Sequence, residues 1–246
     1  DMIEKKESNK LILFLENWLK VKIETELDSL IKLKRIRDNN SEIRALAYNL
    51  YENNGVIKRN SVKKILDNLD QEHRKTLRAA GVKFGRYHIF LYKLFKPSSV
   101  SLRILLWKNF YQKYFNLEPP VFGLNFLEDK KNTNRDFMLL CGFESFQKIF
   151  VRIDILERLF LMILNYGNEV KKAKQEIKLV PEMLNLLGCK KDSFVRLLKN
   201  MNYKIYEKDK EIYFKFMPNK KFNKKIKTNS GIKDSPFSKL IQLNIK

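Results

Sequence analysis

Cations interleaved with aromatic rings are the residues in this chain whose types and spacing best suit chemistry. They concentrate between Leu77 and Trp107, where Arg78, Lys83, Arg86, Lys96 and Arg103 alternate with Phe84, Tyr87, His88, Phe90 and Phe95. Guanidinium and ammonium groups at that density can meet phosphates. Flat rings between them can stack on unpaired bases, each stack contributing roughly 1–3 kcal/mol whatever the base. Arg78, Lys83, Phe84, Arg86, Tyr87, His88, Lys96 and Arg103 are therefore the expected nucleic-acid-binding residues. The competing expectation is structural. Phe84, Ile89, Phe90 and Leu94 would fill a core, the cations would be solvated, and Gly81 and Gly85 would serve a tight turn or a close backbone approach.

The other chemistry-bearing residues point away from catalysis. A phosphate-binding loop needs four residues between its glycines and then Gly-Lys-Ser/Thr, so that backbone amides cradle phosphates. The Gly81 to Gly85 spacing is wrong for this, and the surroundings of Gly231 fail as well. The chain by itself is not expected to hydrolyse nucleotides. Two His and two Cys offer no ligand spacing, so no metal and no cofactor are expected in this chain. His73 sits in a charged helical stretch and reads as solvated or salt-bridged. Cys141 and Cys189, each near a glycine after an apolar stretch, read as small packing residues. Asp154 and Glu157 stand three apart at a helix start, which suits N-terminal capping and the helix dipole better than an acid/base pair.

The elements that must position these residues follow from hydrophobic period and turn chemistry. A long helix is expected over 9–37, where Leu11, Phe14, Leu15, Trp18, Leu19, Ile23, Leu27, Leu30 and Ile31 recur with a 3.6 period. Ser41 is expected to cap a second helix that ends near Gly55, and Asn60 or Ser61 a third running to Ala80. Residues 82–90 suit a short strand or extended connector. Pro97 is expected to stop what precedes it, and Ser98 or Ser99 to cap a helix reaching about 115. Beyond Pro119-Pro120 the pattern changes to a short helix over 136–141, a strand over 148–153 and a helix from Asp154 to 164, closed by Gly167. Pro181 then opens a helix ended by Gly188, and Asp192 or Ser193 a second. Two strands follow, over 203–206 and 212–216. Helix, helix, two-stranded ribbon is the order of a helix-turn-helix with a wing.

The expected fold is thus α+β: mainly helical, a bundle followed by small helix-strand modules, the last winged-helix-like. Expected divisions are a helical accessory domain over 1–117, a helix-strand-helix module over 118–170, a winged-helix-like module over 171–217 and a basic, disordered tail over 218–246. No repeat of fixed period is visible. The second and third blocks share only a helix-glycine-strand flavour.

Bulk charge agrees with the basic-aromatic run. Among 246 residues, 50 Lys and Arg face 28 Asp and Glu, a net charge of +22 that attracts polyanions. Compositional bias toward Lys would raise Glu as well and does not fully account for the imbalance. Two distant cysteines argue for a reducing compartment, hence a cytoplasmic location. No apolar run approaches the ~20 residues that span a bilayer. The chain opens on Asp1 rather than Met, which suits a piece of a longer polypeptide.

Several motifs also carry a resemblance. Leu69-Asp70-Gln71 with Arg74, Gly81-Val82-Lys83-Phe84-Gly85, Leu94 to Pro97 and Leu102-Arg103 with Leu105-Leu106-Trp107 come first. Gly142-Phe143, Val151-Arg152-Ile153-Asp154, Leu156-Glu157-Arg158-Leu159, Pro181-Glu182-Met183 and Leu186-Leu187-Gly188-Cys189 follow in order. Up to about Tyr206 the chain resembles the region C-terminal to the motor in alphaproteobacterial superfamily-two helicases related to the mitochondrial degradosome RNA helicase. That resemblance implies an accessory region lining a strand channel. Its partners would be single-stranded or duplex nucleic acid and upstream RecA-like motor domains. ATP and Mg²⁺ would belong to those motor domains, and no position here matches their motifs. Two other readings stay open: a stand-alone winged-helix-like regulator using residues 181–216, and a protein-interaction scaffold using the apolar helix faces of residues 11–31.

Overall fold

A computed structural model describes residues 5–36, 40–112, 115–129, 133–169 and 176–217. The basic tail from Asn219 onward and residues 171–175 of the basic linker lie outside the described residues. The fold is α+β, mainly helical with small antiparallel sheets.

The N-terminal helical stretch breaks once. Helix α1 (Lys5–Glu26) stops at Leu27, whose φ of −108° and ψ of 20° interrupt the helix before α2 (Asp28–Lys34). Leu27 is buried, and Leu19 and Ile23 of α1 pack against the same core. Earlier in α1, Leu11, Phe14, Leu15 and Trp18 are exposed. Helix α3 (Ser41–Glu52) is capped by Asn40, not Ser41: the Asn40 side chain accepts from the amides of Glu42 and Ile43. Gly55 then closes the helix as expected, with φ 80° and its amide donating to Leu50 O at 2.7 Å. A side chain there would meet Leu94 and Leu91.

After β1 (Val56–Lys58) the single helix expected to reach Ala80 is two. A 3₁₀ turn leads into α4 (Lys63–Asn68), and Asp70 restarts the chain as the cap of α5 (Gln71–Ala79), accepting from the His73 amide. The expected connector is a hairpin, β2 (Val82–Phe84) and β3 (His88–Leu91). Strand β3 lies between β1 and β2, opposing Ile57 to Ile89 and Lys58 to His88 across one side and Phe84 to Ile89 across the other.

This order recurs. Helix α6 (Pro97–Phe110) precedes β4 (Phe126–Glu128), α7 (Arg135–Leu140), β5 (Phe143–Phe146) and β6 (Ile149–Arg152), with β6 central. Helix α8 (Ile153–Glu169) precedes β7 (Ile177–Lys178), α9 (Pro181–Leu187), α10 (Lys191–Asn200), β8 (Tyr203–Lys208) and β9 (Glu211–Phe216), with β9 central. Each unit therefore runs helix, strand, helix or helix pair, hairpin, and places its last strand in the middle of its sheet. The first helices begin at residues 41, 97 and 153, an equal spacing that sequence periodicity did not reveal. Inside the units the intervals differ, and equivalent positions need only be apolar, so no residue-level repeat survives.

The cores divide the chain accordingly. Residues of α2, α3, α4, α5 and the first sheet form one cluster. Val100 and Ile104 of α6 pack with Phe137, Met138, Cys141 and Phe150. Ile155, Leu156, Leu159 and Ile163 of α8 pack with Met183, Leu187, Phe194, Leu197 and Phe214. So α6 packs with the second sheet through Val100 and Ile104 and with the first core through Leu102, whereas α8 packs with the third sheet.

Successive strand residues point to opposite sides, and the central strand β3 is buried on both faces of the first sheet. Ile57, Val82, Ile89 and Leu91 face their own helices. Val56 and Phe90 face away and meet Ile153 at the head of α8. Lys58 and His88, paired in register, share that second face. Ser98 and Ser99 do not cap α6: Ser99 Oγ donates to the Glu26 carbonyl at 2.9 Å and Ser98 Oγ to the Glu26 carboxylate, tying α6 to the end of α1. Among the described residues no helix is long and apolar enough to cross a membrane.

Candidate nucleic-acid interface

The eight residues expected to bind nucleic acid separate into three groups. Arg78, Lys83, Arg86 and Lys96 are exposed cations. Arg78 stands over the Phe84 ring at 5.5 Å, and Lys83 over Tyr92 at 5.3 Å. Phe84 and Tyr87 are half-buried. Phe84 packs against the first core, and Tyr87 lies on Phe160 of α8 with ring centroids 4.0 Å apart. His88 and Arg103 are buried, 3% and 4% exposed. The expected stacking platform is therefore corrected: the rings at 84, 87 and 88 are occupied by the protein's own packing. His88 and Arg103 are likewise withdrawn from any phosphate. Arg103 Nη1 and Nη2 donate to the carbonyls of Asn54 and Leu94 at 3.1 and 2.7 Å.

The turn Gly85-Arg86-Tyr87 is instead a docking point. Glu157, one turn into α8 and 5% exposed, reaches across to it. Its carboxylate accepts from the backbone amides of Arg86, Tyr87 (3.0 Å) and His88 (2.8 Å), three successive donors converging on one anion. A Cβ at Gly85 would sit 2.5 Å from the Glu157 carboxylate and 2.7 Å from the His88 carbonyl, so the approach requires glycine there. Glu157 thus does not cap its own helix, which corrects the expectation; the local pattern is silent about a partner some 70 residues away. Asp154 is the residue that stays local, accepting from the Ile155 amide and from Arg152 Nε at 2.7 Å.

His88 stands between two carboxylates. Nδ1 lies 3.1 Å from Glu157 Oε1 and Nε2 lies 3.0 Å from Glu144 Oε2 on β5; Lys58 Nζ reaches Glu144 Oε1 at 3.0 Å. A neutral imidazole has one donor and one acceptor, and only the imidazolium can donate to both carboxylates. Burial opposes that charge, but the hydrogen bonds His88 donates to Glu144 and Glu157 outweigh it and hold the His88 pKa above its ordinary value. Burial likewise pushes Glu144 up, and His88 and Lys58 bring it below its ordinary value. With His88 protonated, two cations balance two anions, and the cluster joins all three units.

A pH profile of stability should report this cluster. A raised His88 pKa contributes stability that is complete below the unfolded value of about 6.5 and drains as pH rises through the folded value. A lowered Glu144 pKa contributes stability present above the ordinary carboxylate range and lost as pH falls through its folded value. Urea midpoints should therefore peak between those limits and fall on the alkaline side. His88→Gln should flatten the alkaline limb; an unchanged limb in that variant would refute the assignment.

A second basic surface lies on the third unit, whose residues 181–216 the sequence offered to a winged-helix-like regulator without singling out its cations. Helix α10 buries Phe194, Leu197 and Leu198 and exposes Lys191, Arg196 and Lys199. The turn of the β8–β9 hairpin exposes Glu207, Lys208, Asp209 and Lys210, and Lys204 is exposed on β8. An amphipathic period with cations on the outer face was the available signal. The denser basic-aromatic run upstream overshadowed it. Arg86 opens on a cleft of about 250 Å³ lined by Tyr87, Phe160, Gly167, Tyr203 and Phe216. Cys141 is buried and its thiol is pushed up by burial to about 12; burial likewise pushes Cys189 up to about 11. Both pack against cores and neither is set up as a nucleophile. Among the described residues no group of His, Cys, Asp or Glu is arranged to hold a metal ion. No family model, no curated protein and no solved structure matches this chain.

Proposed function

We propose that the chain binds nucleic acid and that its three units are winged-helix-like modules. The observation that carries this reading is the recurrent order of helix, strand, helices and hairpin, with the last strand central. In winged helix-turn-helix proteins the last helix before the hairpin enters a groove. Here the corresponding helices α5 and α10 present cations to solvent, on a chain of net charge +22. A stand-alone nucleic-acid-binding regulator is the form best supported. Phe84, Tyr87 and His88 pack within the fold and do not form the stacking platform expected for unpaired bases, which is consistent with duplex as the ligand.

The helicase-accessory reading remains as the second proposal, supported by the order of motifs that carry the resemblance. Several of those motifs do internal work in this fold, Gly85, Arg103 and Glu157 among them. The two readings differ in strand preference. A channel lining should favour single strands, whereas a winged-helix-like regulator should favour duplex.

Fluorescence titrations with labelled single strands and duplexes at two salt concentrations test both. Six to ten phosphate contacts would weaken affinity by about 10³–10⁵ between roughly 50 and 200 mM salt. Binding with no salt dependence, or none at low salt, would overturn the proposal. Single-strand preference would transfer support to the helicase reading.

A further inference from the structure

The three modules are unequal, and the inequality identifies the ligand and the elements that read it. Resting on the reading above, we propose that the ligand is duplex DNA, gripped chiefly by α10 with the β8–β9 hairpin, assisted by α5, while the second module makes no groove contact.

The argument begins with what each last helix leaves outside. Helix α10 spans ten residues. Its i, i+4 spacing lines up Lys191, the half-buried Val195 and Lys199, with Arg196 beside them and Asp192 as the one exposed acid. Arg196 is held by Glu128 and Ser193, so its guanidinium is pre-positioned and partly neutralised. Helix α5 exposes Lys75 and Arg78 against Glu72; its Arg74 is turned inward to the Leu66 carbonyl at 2.9 Å. Helix α7 has only six residues. Phe137, Met138 and Leu140 are buried, leaving Arg135 and Asp136 exposed, one charge cancelling the other.

The hairpins differ as well. The β2–β3 turn is held by Glu157, and Tyr87 lies on Phe160. The β5–β6 turn is tied to the end of α10, Asn200 Nδ2 donating to the Phe146 carbonyl at 3.2 Å. Both of these hairpins are engaged by the third module. Gln147 and Lys148 at that turn nevertheless stay exposed, as do residues 207–210 at the β8–β9 turn, where two cations stand beside two acids and Lys208 pairs with Glu176. The third module is thus the one whose helix and hairpin are both open to a ligand. The first retains its helix, and the second an exposed turn beside a short helix whose outward charges cancel.

The shape of such a reader selects the polymer. The major groove of B-form DNA is about 12 Å wide and admits an α-helix. The major groove of A-form RNA is deep and narrow and does not. A helix with its cations turned outward, flanked by an exposed hairpin, therefore fits duplex DNA.

Anisotropy titrations of the full chain with a mixed-sequence DNA duplex test the proposal, with each variant first checked for an unchanged melting temperature. Lys191→Ala with Lys199→Ala should weaken binding by at least about tenfold and reduce the salt slope by about two, since each lost phosphate contact removes about one. Lys75→Ala with Arg78→Ala should weaken it by roughly threefold to tenfold. Arg135→Ala should leave it unchanged. Unlabelled RNA duplex should compete poorly. Equal competition by RNA duplex, a loss with Arg135→Ala matching that of the α10 pair, or an unaffected α10 pair would overturn this assignment while leaving nucleic-acid binding standing. Absence of wild-type binding to every duplex and single strand would instead bring down the reading on which it rests.

Discussion

Glu157→Ala should unfold this protein more readily than any other single carboxylate change, lowering stability by about 3–5 kcal/mol, the usual consequence of removing one partner from a buried charged pair. The substitution leaves His88 beside a single carboxylate and strips the amides of Arg86, Tyr87 and His88 of their acceptor. Each of those losses carries a desolvation cost, because water cannot easily replace a group that is 5% exposed. For a chain of this size a loss of that magnitude corresponds to a fall in melting temperature of about 2–4 °C per kcal/mol. Glu157→Gln keeps the shape and one acceptor oxygen, so it should fall between wild type and Ala. A double-mutant cycle with His88→Gln should show strong non-additivity, because both side chains act through one network. Additive losses, or a change of under about 1 kcal/mol for Glu157→Ala, would mean that the modules are held together by apolar packing alone.

Arg103→Ala should be comparably damaging, by about 3–5 kcal/mol, for a different reason. Among the described residues Arg103 has no carboxylate as a hydrogen-bond partner. Its guanidinium forks between the Asn54 carbonyl, just after α3, and the Leu94 carbonyl, just before α6. Burial lowers its pKa to about 10, still well above neutrality, so the cation persists inside. Its neighbours on α6 divide between two cores, Leu102 toward the first and Val100 and Ile104 toward the second. Truncation would leave two acceptors without this donor and a void at the joint between the cores. Arg103→Lys should recover only part of the loss, since a point-like ammonium cannot span both carbonyls with planar fork geometry. Urea denaturation of the three proteins gives the comparison. Full recovery by Lys would show that charge, rather than the fork, is what the site requires.

These two residues illustrate where local reading ended. Glu157 stands at a helix start and carries every local mark of a capping residue. Arg103 sits in a basic-aromatic run and carries every local mark of a phosphate contact. Each is redirected by a contact that sequence proximity does not encode: Glu157 meets a turn some 70 residues away, and Arg103 reaches Asn54 across 49. Gly85 was legible as a site of close backbone approach, but not what approaches it. The same applies to Ser98 and Ser99, whose hydroxyls serve the end of α1 rather than the start of α6.

By itself the amino-acid order determined what depends on neighbours within a turn or two. The mainly helical α+β class, Pro181 opening a helix that Gly188 ends in left-handed conformation, the terminal hairpin and the small packing cysteines all follow from local backbone preference and hydrophobic period. Tertiary structure alone decided which cations face solvent, why the central strand of the first sheet is buried on both faces, and that one module order occurs three times. Those outcomes depend on the pairing of distant surfaces, and a charged side chain at a given spacing reads the same whether it ends beside water or beside a buried counter-charge.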